Sequence, residues 1–588
     1  MSRLNNVPVQ AKKAKQVKLK SSILRVLKVL VFIVPLIVHL MIVPVKDKLK
    51  PLVGTLDHVA DFFVAYKVLI LIFGTVVLLL MTFYYQIEYK ALKKNNYFYY
   101  SLVAIAGVIL MSTMFSKHGD VALFGYLDRY EGAFTWMAYL SLAYIAYNLV
   151  DTDEELNAIK LSFIASATIV AIIGVFQFYN MDLFKSEFGK MLILGSKYAE
   201  AGSKLVFPFP PRTVYSTLFN SNYVGSIMSV ATLLTIEQVA KQRKLALKAS
   251  LFIALGLILL SLIGSKSTGG LIATSLATVG LTATILIKSK LSAFKKIIIA
   301  FIVLASAIGA LQLNIIQQQL DKFASSLHTE STISQQESNP FTAVDYDGRQ
   351  LAITIDNSYQ LFLVPYDSLL DVALSTGQVL VPTTIDGQVN YETQVSGDQI
   401  KVTLNEVSRE LSIGLMREGF TVPKQVKLHF RDGRFGEGNH YLTSENVKVE
   451  VVMLFKNERM FTDRGYIWNR TIPLILDKPL LGYGADTFAL HYPQLDLLGS
   501  VESGNPYDTV IDKPHSMYLG ILFSFGFLGG GILLSVLICA LVMQNSKWQF
   551  WTLVAFMLAG IINDSIVTLS FAIAIFMVAG LKSKAAKS

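Results

Sequence analysis

The sequence predicts an all-α polytopic membrane protein of about twelve transmembrane helices, with a small extracytoplasmic β domain inserted among them. Three observations predict it. Mean hydropathy over the chain is +0.49, and only 16% of the 588 residues are charged, too few to coat a soluble protein of this length. Apolar runs able to cross a hydrocarbon core of about 30 Å as helices recur along the chain. A long polar segment with strand-like alternation separates the last of these runs from the earlier ones.

The runs are Val29–Val45, Val68–Tyr85, Tyr97–Phe115, Ala133–Val150, Leu161–Phe178, Tyr223–Ile236, Ala249–Gly264, Leu271–Ile287, Ile297–Leu313, Met517–Met543, Phe550–Ile562 and Ile566–Leu581. Basic loops stay cytoplasmic, so orientation follows from where Lys and Arg gather. They gather in the tail at Lys12 to Lys28, at Lys90/Lys93/Lys94, Lys241 to Lys248, Lys288 to Lys296, Lys547 and Lys582 to Lys587. An even number of spans with both termini in the cytoplasm fits every one of these clusters. Only the acidic loop Asp151–Lys160 departs from the pattern.

The net charge of +10 is thereby accounted for by topogenic clusters and contacts with anionic membrane lipids, and no nucleic-acid partner is expected. The first apolar run follows a long basic tail and lacks a small-residue cleavage site, so it is expected to stay as an anchor. Cys539 is the single cysteine and falls within an apolar run, which excludes a disulfide framework and thiolate–zinc chemistry within the chain.

This topology gives a basic cytoplasmic tail (1–28), an N-terminal membrane domain of about nine helices (29–315), a linker (316–341), a β-rich insertion (342–455), an extracytoplasmic catalytic loop (456–515) and C-terminal membrane helices (516–588). The linker is rich in Ser, Gln, Thr and Glu. Within the insertion, Gln350–Ile355, Gln360–Val364, Lys401–Leu404, Val426–Phe430 and Val447–Met453 alternate apolar with polar residues. Asp347-Gly348, Asp386-Gly387 and Asp432-Gly433 supply turns between them.

Candidate chemistry concentrates just before the Met517–Met543 run. In Asp463-Arg-Gly-Tyr-Ile-Trp468, helical spacing puts Arg464 and Trp468 on one face, and a guanidinium fork suits a diphosphate. Interfacial snorkelling is the structural alternative for Arg464. Gly482 and Gly484 in Pro479-Leu-Leu-Gly-Tyr-Gly484 let the backbone approach a ligand or simply turn. In Lys513-Pro-His-Ser-Met-Tyr-Leu519, His515 stands where the chain enters the membrane, and an imidazole can take a hydroxyl proton at neutral pH.

The other seven histidines lack such company. Charges at span mouths add Arg129 and Glu131 in Phe124–Gly132, Arg212 before the Tyr223–Ile236 run, and Lys266 in the short turn Gly264–Gly270. That turn has a superficial likeness to a phosphate loop but lacks the strand–helix context. A structural Arg129–Glu131 or Arg129–Asp128 pair competes with ligand binding at the first of these sites.

Taken together, Phe124–Gly132, Thr217-Leu-Phe-Asn-Ser-Asn-Tyr-Val-Gly225, Arg464–Trp468, Pro479–Gly484 and Lys513–Leu519 resemble the O-antigen ligase and polymerase superfamily of bacterial membrane glycosyltransferases. The resemblance extends over nearly all the spans but not the β insertion. It implies transfer of a glycan from an undecaprenyl-diphosphate-linked donor to a hydroxyl of a glycan, lipid or protein acceptor. The reaction would run on the outer face of the bacterial cytoplasmic membrane, without nucleotide, metal or other cofactor, in one inverting step.

Carried over, His515 would orient or deprotonate the acceptor. Arg464 and Arg212 would hold the diphosphate, with Arg129 or Lys266 assisting and Trp468, Gly482, Tyr483, Gly484 and Tyr518 in support. Ser516 departs from the Asn that commonly follows the family histidine, and Lys266 from a common Arg. The competing readings are a polysaccharide exporter or flippase, which wants polar residues midway along several spans, and a scaffold whose β domain binds a partner. The spans read as mostly clean inside, and Asp564 as an outer-loop residue rather than a proton relay.

Overall fold

The structure, a computed structural model, describes residues 6–579 apart from 54–55, 92, 94–95, 290–291, 293–338, 367–368, 419, 421–422, 432–433, 438–439, 444–447, 456–457, 459, 504–509 and 545. The expected span Ile297–Leu313, most of the linker and the last basic cluster fall outside the described residues.

The long helices are α1 (Asn6–Ile33), α2 (Ala65–Tyr89), α3 (Asn96–Met114), α4 (Ala133–Leu149), α5 (Asp153–Phe178), α6 (Ser221–Lys241), α7 (Leu245–Gly264), α8 (Thr268–Lys288), α9 (Met460–Asp477), α10 (Met517–Val542), α11 (Lys547–Ile562) and α12 (Val567–Ala579). Among the described residues seven of these, α2, α3, α5 to α8 and α10, are long and apolar enough to cross a membrane, and α11 and α12 are shorter apolar helices. The fold is that of a multi-pass membrane protein, and among the described residues a count of twelve spans is not reached.

The first expected span differs most. Val29–Val45 is the end of α1, a 3-10 turn at Val34–Leu36 and the strand Met41–Pro44, which pairs antiparallel with His58–Asp61. Pro35 is the reason: it has no N–H to donate and its ring collides with the preceding turn, so the helix stops there. The helix lies further back, through the basic tail.

α1 packs against α2 and α5, α7 against α5 and α6, α8 against α6 and α11, and α4 against α2 and α12. One apolar core runs through Leu27, Leu71, Ile159, Ile227, Ile258 and Phe576. Helices gain little from apolar contact alone in lipid, so polar links carry weight between them. Lys160 of α5 and Glu237 of α6 meet at 2.7 Å with both side chains buried, and Lys241 approaches the other Glu237 oxygen at 2.7 Å. The spans are therefore less clean than their sequence reads.

The acidic loop that departs from the charge pattern is also explained. Lys20 of α1 reaches Asp151 and Glu155, each at 2.7 Å, and Lys93 contacts Asp151. The carboxylates neutralise the basic tail at one end of the bundle. Thr152 caps α5 there, with its hydroxyl accepting from Glu155 N and the Glu155 side chain returning to the cap N–H.

The insertion forms two antiparallel sheets whose strands pair in chain order. The five-stranded sheet runs from Phe341–Tyr346 to Val379–Leu380, and the seven-stranded sheet from Thr383–Ile385 to His440–Tyr441. Alternation such as Leu351, Ile353 and Ile355 inward against Ala352 and Thr354 builds a core separate from that of the bundle. Four of the five expected strands are present. The fifth is not: described residues 448–453 are irregular, and Val452 N instead donates to Asn469 O of α9. The stretch serves as the strap that joins the sheets to α9.

Candidate active site

The site lies where α9, the start of α10, the α11–α12 turn and the loop before α4 converge. His515 immediately precedes α10 and has φ +52, in the left-handed region that non-glycine residues seldom enter. Two hydrogen bonds beside it hold this bend: the Trp468 indole donates to Pro514 O at 2.8 Å, and Met517 N donates to Asn563 O at 2.8 Å. Asp128, Tyr130, Arg212, Lys266 and Asp486 also have positive φ. Strained backbone persists where surrounding structure over-determines it.

His515 Nδ1 lies 3.1 Å from Asp564 Oδ2 in the α11–α12 turn, with the carboxylate buried and the imidazole one-third exposed. With Nδ1 donating to Asp564, Nε2 is left as the basic nitrogen. Burial alone would raise the Asp564 carboxyl. The His515 hydrogen bond and the charges of Arg129 and Lys513 overcome that and hold it well below the usual carboxylate range. Lys513 donates to the Tyr223 hydroxyl at 3.2 Å and lies 3.7 Å from Asp512. Burial would lower this ammonium, but Asp512, Tyr223 and Asp564 raise it instead, so it remains charged.

Arg129 is held by carboxylates, though not by the expected pairing alone. Its Nε sits 3.0 Å from Asp486 Oδ1 and its Nη2 3.6 Å from Glu131 Oε2. Asp486 Oδ2 also accepts from Tyr126 N at 2.8 Å and Glu131 N at 3.0 Å, tying the segment after α9 to the loop before α4. Burial raises the Asp486 carboxyl to about 6, against the pull of Arg129. Glu131 accepts from the Tyr139 and Ser565 hydroxyls at 2.7 and 2.5 Å. Arg129, Asp486, Asp564 and Ser565 line one small cavity; Arg129 and Ser565 also line a second, with Lys67, Asp128 and Tyr223.

The remaining expected residues divide. Arg464 is buried on α9, one turn before Trp468. Arg470, on another face, makes two buried ion pairs, with Glu458 at 2.5 Å and with Asp496. Lys266 and Arg212 are exposed. They flank one corner: Val214, two residues after Arg212, packs at Gly264, two before Lys266.

The glycines brace a helix. α10 is interrupted at Gly526, φ +62, and the freed groups pair with the glycine segment. Tyr483 N and Gly484 N donate to Phe523 O and Ser524 O at 2.9 and 3.0 Å, and Phe527 N to Pro479 O at 2.6 Å. Gly482 has φ +66, and a Cβ there would run into Phe523 O. Tyr483 stacks on Phe523 at 4.9 Å and donates to Asp477 at 2.7 Å. Tyr518 donates to Met557 O at 2.9 Å, linking α10 to α11.

Sequence reasoning passed over Asp486, Lys513 and Lys67 as site residues and set Asp564 aside. Lys513 lies inside a motif already singled out, and Asp486 two residues beyond another. Lys67 carried a signal of its own, a charge at the mouth of an apolar run.

Residues 435–534 match the family model described as O-antigen ligase. The chain carries an O-antigen ligase family domain. That domain holds the last strands of the insertion, α9, the glycine segment, His515 and most of α10. It is narrower than the resemblance read along the spans, and Arg129, Arg212, Lys266 and Asp564 lie outside it. No curated protein and no solved structure matches the chain.

Proposed function

We propose that the chain is a lipid-linked-glycan transferase of the extracytoplasmic membrane face, an O-antigen ligase-like or polymerase-like enzyme with both termini in the cytoplasm. The observation that carries this reading is the His515–Asp564 pair, one-third open to the surroundings beside cationic Lys513 and Arg129. An imidazole whose Nδ1 proton is held by a carboxylate accepts a proton at Nε2. The acceptor oxygen, losing its proton there, attacks the anomeric carbon. The bond from that carbon to the diphosphate oxygen breaks, the configuration inverts, and the diphosphate departs with the bonding pair.

The charge that stabilises the departing diphosphate is assigned to Arg464 with exposed Lys266 and Arg212, while Arg129 is held by Asp486 and Glu131. The donor is an undecaprenyl diphosphate glycan and the acceptor a glycan, lipid or protein hydroxyl. In cells lacking the protein, complementation with His515→Ala or Arg464→Ala leaves the lipid-linked glycan to accumulate. Normal transfer by both variants would sink the proposal.

A further inference from the structure

Residues 179–212, which follow α5, present an apolar surface to the outside of the molecule. Within them the short helix Glu187–Leu194 is apolar on two sides. On one side Ile193 is buried with Phe184 against Phe63 and Tyr215, and Leu40 N fixes that side by donating to Ile193 O at 2.8 Å. On the other, Phe188, Met191 and Leu192, spaced i, i+3 and i+4, form a stripe in which each residue is more than half exposed. A contiguous exposed apolar patch of this kind marks a contact surface.

Two observations choose what covers it. The first is continuity with a membrane span: Ile169, Ile172, Phe176 and Tyr179, at i, i+3, i+7 and i+10, are exposed along α5 and its end, and exposed Met181 carries the surface on toward the short helix. The loop folds back on that span end, since Asp182 accepts from Gln177 Nε2 at 3.2 Å and from the Tyr215 hydroxyl at 2.5 Å. Phe63, against which Phe184 packs, lies two residues before α2, so the short helix stands where one span ends and another begins. The second is charge. In 179–212 five basic residues stand against three acidic ones, of which Asp182 is already taken up by those hydrogen bonds. Glu187, beside the stripe, pairs with Lys190 at 3.5 Å. An apolar stripe in a basic surround fits a lipid surface with anionic head groups.

We infer that Glu187–Leu194 is an interfacial helix, with its Phe188, Met191 and Leu192 stripe seated in the membrane leaflet at which α5 ends, about 5–10 Å into the boundary between head groups and acyl chains. The same anchored loop carries Arg212. Lys185 donates to Phe209 O at 2.9 Å, and the Phe209 ring stacks on Tyr215 at 3.7 Å, so the segment leading to Arg212 is tied to the start of the helix. Seating the stripe thereby sets exposed Arg212 at the depth of the lipid head groups. The placement requires no particular reaction at His515.

The measurement is electron paramagnetic resonance of nitroxide labels on the full chain, carrying Cys539→Ser, in nanodiscs of phosphatidylethanolamine and phosphatidylglycerol. Labels go one at a time onto Phe188→Cys and Leu192→Cys, both exposed and so tolerant of a label, and onto Arg349→Cys, an exposed turn position of the β insertion, as the water reference. Relaxation by oxygen, which concentrates in lipid, is compared with relaxation by a water-soluble nickel chelate. Relative to the reference, both stripe positions are expected to favour oxygen by about threefold or more, and Arg212→Cys to fall between the two. A preference for the chelate at either stripe position would place the stripe in water, and exclusion of both reagents would place it under protein, such as a second copy of the chain. Either result would overturn the inference. A label at Arg212→Cys as wet as the reference would overturn the depth assigned to Arg212.

Discussion

His515 and Asp564, separated by 49 residues, meet through a 3.1 Å contact between Nδ1 and the carboxylate. The pair decides which imidazole nitrogen is basic. Asp564→Asn removes the carboxylate that fixes the proton on Nδ1 and permits the wrong tautomer. The expected result is a fall in kcat of about a hundredfold, within the ~10²–10⁴ that a positioned base contributes, with KM little changed. Steady-state kinetics of the purified variant checks it, and a retained melting temperature separates the effect from misfolding.

Trp468→Phe keeps the ring but removes the indole N–H that donates to Pro514 O. A cost of about 1 kcal/mol in stability is expected, with a larger effect on kcat than on melting temperature because the lost bond holds the bend at His515. Parallel kinetic and thermal measurements would show whether the two readouts separate as expected.

Lys266 is exposed and has positive φ at the corner it shares with Arg212. As a donor-side cation it predicts that Lys266→Ala raises KM for a diphosphate-linked donor about tenfold. Lys266→Arg is expected to hold KM near the wild-type value, because the charge is kept. A KM unchanged in Lys266→Ala would remove this residue from the donor site.

Asp486 gives a pH signature. Burial raises its carboxyl to about 6 in the folded protein, above the 3.8 of a free carboxyl, so the fold binds this proton more tightly than the unfolded chain does. Its contribution is therefore present at low pH and is lost as pH rises from about 4 to about 6. Melting temperatures across that window are expected to fall in the wild type relative to Asp486→Asn, with a constant difference above it. Parallel pH profiles would contradict the raised carboxyl.

How much was legible in sequence depends on the range of the interaction. Apolar runs are local, so α2, α3, α5, α7, α8 and α10 stand where hydropathy puts them. The run at Val29–Val45 misled because Pro35 stops a helix that composition alone would continue. Val447–Met453 alternates like a strand in sequence, yet Val452 N donates to Asn469 O of a helix, which no local pattern reveals. At the site, the Lys513–Leu519 motif drew attention to His515, but its partner comes from a turn two helices later. Likewise Arg129 and Asp486 are joined only by the docking of two distant loops.

The central claim is that a glycan–diphosphate bond breaks at His515. The most direct measurement is release of free undecaprenyl diphosphate from a purified undecaprenyl-diphosphate glycan in the presence of an acceptor glycan. The wild type is predicted to release it in step with acceptor elongation, and His515→Ala to release it at least a hundredfold more slowly. Release by His515→Ala at the wild-type rate, or passage of the intact lipid-linked glycan across a vesicle membrane with no bond broken, would contradict the account.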